Sequence, residues 1–318
     1  MDRILVTGGS GFIGSFLVER LVKEGHTVRI FDNNFRGRLD YLSSVTGKVE
    51  FFKGDITDLK AVTKAMKGID TVYHLAAING TEYFYSIPDR VVSVNTKGTI
   101  NMVDSLAGSD AKKFVFFSSS EVYGKPEHYP TKEEHKLVVE DSRNPRFTYS
   151  GSKIIGEIYT HAFCKKLGID YSIVRPHNFY GPRMGYEHVI PQFIRRVLKK
   201  EKFTVQGDGS QTRSFCYITD AVDALYEMGK RKTSGEIFNV GNDKEEYSVL
   251  ELITIIEKVM GVKINPSFVP LPEGGTLRRQ PDISKARRLL DFDPKVTLEE
   301  GVRLTYKWYK EDFGANKK

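Results

Sequence analysis

The first half of the chain alternates short apolar runs with longer amphipathic stretches. The runs are RILVT from Arg3, TVRIF from Thr27, VEFFKGD from Val49, DTVYHLA from Asp70, KKFVFFSS from Lys112 and DYSIVRP from Asp170. Helical periodicity starts near Gly11, Pro88 and Thr148 between them. Strands this short and apolar, alternating with helices, predict an α/β fold, a doubly wound parallel sheet covered on both faces. After Pro176 the texture changes to Gly- and Pro-punctuated pieces, HNFYGPRMG, QGDGSQ and VPLPEGG, with helices expected near 188–200, 217–229, 248–260 and 298–312. A smaller mixed α/β domain is expected there. The division reads as 1–175, with added segments from about 215–245, and 176–318, mainly 176–214 and 246–318, ending in a disordered GANKK tail.

Composition narrows the class. With 318 residues, 40% of them hydrophobic, the chain can bury a full core. No apolar run reaches the ~18 residues a membrane helix needs. MDRILVT opens directly as a strand without a signal-peptide pattern, so a cytoplasmic protein with no membrane partner is expected. Cys164 and Cys216 lack metal-ligand spacing and read as buried and reduced, and no metal site is expected. The net charge of +7 is spread along the chain, and the clusters RRVLKK and KARR fall on predicted helices. Dispersed charge argues against a nucleic-acid partner and suits a small anionic substrate.

The segment TGGSGFIG follows the first strand directly and opens a helix. Its Gly8, Gly11, Phe12, Ile13 and Gly14 give a Gly-x-x-Gly-x-x-Gly turn. Bare backbone there approaches a pyrophosphate closely, and the helix N-terminus favours its charge. The expected fold is therefore Rossmann-type. The second strand ends at Asp32, followed by Asn33; a carboxylate there accepts from both adenosine ribose hydroxyls and repels a 2′-phosphate, which argues for NAD. Arg36 and Arg38 close by leave NADP open. Asp55 and Ile56 end the third strand at adenine distance, and Leu75, Ala76 and Ala77 after His74 offer small side chains along a flat cofactor.

Tyr149 and Lys153 stand four apart in YSGSK, on one face of a predicted helix. A tyrosine of pKa about 10 needs a nearby cation to act as a base near neutrality. TGGSGFIG, Asp32, GDI, HLAA, Asn95 in VNTKGT, SSSEVYG, YSGSK and RPHNFYGP together resemble the extended short-chain dehydrogenases/reductases, in particular the NAD-dependent nucleotide-sugar epimerase/dehydratase family. The likeness spans nearly the whole chain.

The resemblance implies a tightly held NAD, a nucleoside diphosphate sugar as substrate, and a homodimer built on the helices after Pro88 and Thr148. It implies that Tyr149 takes the proton of the sugar 4-hydroxyl, that Lys153 lowers the Tyr149 pKa and holds the nicotinamide ribose, and that Ser119 hydrogen-bonds O4. Pro176 would lie by the carboxamide and Asn178 near the sugar or its phosphate. Arg213 and Arg279 would take the diphosphate, and HVIP, with His188 and Val189, would belong to the substrate side. Gln206 stands where relatives place an aromatic against the base, which leaves the base open.

Three outcomes follow from a 4-keto sugar: epimerisation, 4,6-dehydration and decarboxylation of a uronic acid. Glu121 decides among them. Dehydratases and decarboxylases carry a glutamate there, and dTDP-glucose dehydratases precede it with an aspartate where this chain has Ser120. GDGSQTRSFCYI and RRQPDISKARRLL look most like UDP-glucuronate decarboxylases, whereas YSGSK and HVIP read more like epimerases and dehydratases, and AAINGTEYFYSIP carries the signature of none. A 4-epimerase demands the fewest specialised residues and is placed first, then dehydratase, then decarboxylase. A catalytically silent NAD-binding or scaffold protein is the reading from another class; such proteins tend to lose the serine or the Tyr-x-x-x-Lys pair that this chain keeps.

Overall fold

The computed structural model describes residues 1–270 and 276–315; most of VPLPEGG and the last residues of the GANKK tail lie outside them. The six apolar runs become β1 (Arg3–Thr7), β2 (Thr27–Asp32), β3 (Val49–Lys53), β4 (Thr71–His74), β5 (Lys113–Phe117) and β6 (Asp170–Pro176). A seventh strand, Ile237–Val240, joins the free side of β6. All neighbours run parallel, in the order 237–240, β6, β5, β4, β1, β2, β3. The winding reverses between β1 and β4. Loops leaving their C-terminal ends diverge there and open a crevice.

The helices are α1 (Phe12–Lys23), α2 (Leu59–Ala65), α3 (Thr81–Ser86), α4 (Pro88–Asp104), α5 (Phe147–Leu167), α6 (Val189–Lys199), α7 (Ile218–Lys230), α8 (Val249–Met260), α9 (Ser284–Leu290) and α10 (Leu298–Ala315). Alternation along the strands sorts the core into two layers. Ile4 and Val6 of β1 face one way with Leu17 and Leu21 of α1 and Leu225 and Met228 of α7. Leu5 faces the other way with Val62, Met102, Val103 and Cys164, under α2, α4 and α5. Each fully buried aliphatic side chain is worth about 1.5–3 kcal/mol. That explains strands apolar at nearly every position.

The strand 237–240 and α7 belong to the sheet layer. The rest of the second half forms small sheets: 179–180 with 216–217, 204–206 with 267–269, and 212–213 between 247–248 and 278–279. A capping box, Ser248 with Glu251, starts α8. On the outside, α4 and α5 pack against each other and leave Val92, Ile155 and Ile158 exposed. Among the described residues no helix is long and apolar enough to cross a membrane.

Candidate active site

The crevice and the small sheets of the second half line a cleft of about 1160 Å³. Its floor is the glycine turn. Gly8 leaves β1 with φ +70°, and a Cβ on Gly14 would lie 2.1 Å from the Gly8 carbonyl oxygen. A methyl group on Gly8 would press within 2.9 Å of the Ala76 amide. The bare surface that remains is what a pyrophosphate needs, so the turn fits a dinucleotide.

Asp32 lines this cleft, accepting from the backbone N–H of Ser10 at 3.1 Å and of Asn34 at 2.8 Å. Asn33 donates to Asp55 at 2.8 Å. The two arginines that left NADP open are engaged elsewhere. Arg36 pairs with Glu187 and donates to the Asn79 carbonyl, and Arg38 chelates Asp40 at 3.1 and 2.5 Å. No guanidinium is left to receive a 2′-phosphate from this loop, so the crevice fits NAD. Gly11, Phe12, Ile13, Ile56, Leu75, Ala76, Ala77 and Pro176 also line it.

Asn95 is the exception among the expected cofactor residues. Its amide is buried behind the wall, bonded to the N–H and carbonyl of Ile78 at 2.8 and 3.1 Å and to Ser152 at 3.3 Å. It shapes the loop after β4 and leaves no group for the cofactor.

The chemistry lies where β5 ends. Ser119 follows the strand, its Oγ accepting from the Glu121 N–H at 3.1 Å and near enough to Tyr149 to ease the ionisation of its phenol. Tyr149 sits on the first turn of α5, its ring stacked on Phe84 at 5.2 Å. Lys153, one turn on, donates from Nζ to the Phe117 carbonyl at 2.6 Å and lies 5.8 Å from the Tyr149 ring centroid.

Burial lowers the Lys153 ammonium to about 7 against the pull of Glu157. Burial raises the Tyr149 phenol above its ordinary value; the Ser119 hydroxyl and the Arg36 charge oppose this, while Glu121 adds to it. Behind them His74 holds Thr7 at 2.8 Å, and burial beside Lys153 keeps its imidazole neutral, near 3.

Glu121 is not a free carboxylate. Arg279 donates to its Oε1 at 2.5 Å, and a guanidinium nitrogen of Arg146 lies 3.6 Å from Oε2. Burial alone would raise its pKa, but Arg279, by charge and hydrogen bond, then Arg146 and Arg213 bring it down to about 2. Arg279 also reaches Ser120 at 3.5 Å and Thr276 at 3.2 Å. It therefore faces the serine end of the cleft rather than standing as an isolated phosphate ligand. Arg213 spends its guanidinium on the carbonyls of Thr212, Thr276 and Leu277 at 2.7, 2.6 and 3.2 Å, which ties the strand 212–213 to its neighbour.

Asn178 donates to the Ser214 carbonyl at 2.8 Å. His188, Val189 and the exposed Gln206 line the outer cleft. Sequence reasoning missed Arg146. Its signal was present: an arginine three residues before Tyr149 shares its side of the helix start. Among the described residues no cluster of His, Cys, Asp or Glu could hold a metal ion.

Comparison with known proteins places this geometry. The sequence profile of the NAD-dependent epimerase/dehydratase family matches residues 4–241. A UDP-N-acetyl-alpha-D-glucosaminuronate decarboxylase of Bacillus cytotoxicus is 35% identical over 97% of this chain and 98% of its own. UDP-glucuronic acid 4-epimerase from Bacillus cereus, solved with UDP-glucuronic acid and NAD, superposes with a TM-score of 0.89 at 30% identity, over 97% of this chain and 99% of that one. A dTDP-glucose 4,6-dehydratase from Streptomyces venezuelae, solved with NAD, gives 0.91 at 27% identity over 98% of each chain. The glycine turn, Asp32, and the Ser119, Tyr149 and Lys153 set thus sit in a chain matched by that family over most of its length: the protein is an NAD-dependent enzyme of the epimerase/dehydratase family.

Proposed function

We propose that the protein decarboxylates a nucleoside diphosphate sugar whose C6 is a carboxylate, through a 4-keto intermediate. This reverses the order given by sequence reasoning, which put 4-epimerisation first. The observation that carries the reading is Glu121 fixed as an anion by Arg279, beside Ser119 and Tyr149. A dehydratase needs a base for the C5 proton, and a carboxylate near 2 is too weak a base at neutral pH. A uronic acid needs no such base, because the bond to C6 supplies the electrons. It needs cations near C6, which the arginines around Glu121 supply. The similarity to a glucosaminuronate decarboxylase points the same way.

In the reaction Tyr149 accepts the 4-hydroxyl proton while Ser119 holds O4. When bound, NAD accepts the hydride of C4 and later returns it. With a ketone at C4, the C5–C6 bond breaks, its electron pair enters a C4–C5 enolate and carbon dioxide leaves. Negative charge then moves from C6 to O4, where the hydroxyls of Ser119 and Tyr149 donate. C5 next takes a proton from solvent, and Tyr149 returns its own to O4 as C4 is reduced.

The test is incubation of the NAD-loaded enzyme with UDP-glucuronate and with UDP-N-acetylglucosaminuronate. The expected product is the pentose nucleotide with one equivalent of carbon dioxide, read by mass spectrometry. Unchanged mass with inverted C4 would overturn the proposal in favour of epimerisation.

A further inference from the structure

Arg146 is set apart from the other arginines at the sugar end of the cleft. Arg213 is spent on backbone carbonyls, and Arg279 on Glu121, Ser120 and Thr276. The Arg146 guanidinium makes no hydrogen bond to any described residue. Its one partner is Glu121 at 3.6 Å, beyond hydrogen-bond reach, although its side chain is only 14% exposed and lines the cleft. The half-buried guanidinium opens into the cleft, so its five N–H donors are available to a ligand there. Arg146 also immediately precedes α5, three residues before Tyr149. Its free donors therefore lie next to the reacting end of the sugar.

We propose that Arg146 is the residue that selects an anionic sugar, its guanidinium fork taking the C6 carboxylate of a uronic acid; this rests on the decarboxylase reading. The charged groups facing it are Glu121, which repels a second carboxylate, and the cation of Arg213. The substrate is then held from the Arg146 side while Glu121 remains paired with Arg279. A carboxylate and a phosphate attract the same fork, so the phosphate must be controlled for. UDP-glucuronate and UDP-glucose share the nucleoside diphosphate and differ at C6 alone.

The experiment compares the KM for UDP-glucuronate with the inhibition constant of UDP-glucose, in wild type, Arg146→Gln and Arg146→Lys, with NAD occupancy measured in each. A charge-assisted fork corresponds to about 10- to 100-fold in binding. Arg146→Gln is expected to raise the uronate KM by that factor and leave the UDP-glucose constant and NAD occupancy unchanged. Arg146→Lys should recover part of the loss. Equal weakening of both sugars, or an unchanged uronate KM, overturns the inference while leaving the decarboxylase reading intact. A wild-type enzyme that releases no carbon dioxide from UDP-glucuronate overturns the decarboxylase reading, and the wild-type arm alone reveals it.

Discussion

A carboxylate two residues beyond Ser119 has the placement of a base, and neighbouring sequence offers nothing to say otherwise. Its state is set by Arg279, 158 residues away, whose guanidinium keeps Glu121 ionised at about 2. On the proposed decarboxylation, that anion would destabilise the carboxylate of a bound uronate more than the enolate, whose charge would lie at O4. Glu121→Gln removes this repulsion and frees Arg279 to hold the substrate carboxylate. The expected result is a lower KM with kcat reduced about tenfold, the pattern of lost ground-state destabilisation. Steady-state kinetics with UDP-glucuronate check it; a raised KM would show that Glu121 instead orients Arg279 for binding. The glutamate was legible from SSSEVYG, but its role was not, because an ion pair this distant leaves no local pattern.

At the scale of elements, the ends of β5 and α5 are held in register by one buried pair. Arg175 of β6 meets Glu157 of α5 at 2.9 and 2.6 Å, and also donates to the Tyr123 hydroxyl and the Glu133 carbonyl, both at 2.8 Å. Ser118 donates to the same Glu157, so the carboxylate that follows Lys153 by one turn also grips the residue before Ser119. A buried pair is destabilising to break but not to remove whole. Glu157→Gln is expected to cost about 3–5 kcal/mol, and Glu157→Gln with Arg175→Met to recover most of it. Urea unfolding of both variants tests this; equal losses would mean that the pair adds no more than packing. The strands were legible because each is buried on both faces and so continuously apolar. Short pieces such as α3 and the two-residue strands carry no period, and only tertiary contacts place them.

For the molecule as a whole, the cleft exists because the two halves of the chain are tied across it. Arg183, from the loop after β6, reaches Ser15 at 3.1 Å and Glu19 at 2.9 Å on α1, and Arg36 pairs with Glu187 over the cofactor crevice. These ties read in sequence only as scattered charge. Folding also buries imidazoles that must stay neutral. His74 is held near 3 by burial and the Lys153 charge. His177 is held near 3 by burial, against its bond to Asn239, with Arg279 and Arg175 adding to the fall. His188, near 4, has a side chain 32% exposed and contributes less. A depressed histidine pKa means that the unfolded chain binds the proton first. Its contribution to stability is whole above 6.5 and is lost as pH falls toward 3. Glu121, depressed from 4.5 to about 2, adds a second loss in that lower window. The urea midpoint of the protein is thus expected to fall steadily from pH 7 to pH 4, and the fall to be shallower in His177→Asn, which keeps a polar group beside Asn239 and removes one titration. A midpoint flat across that range would mean that the imidazoles are not held neutral by the fold.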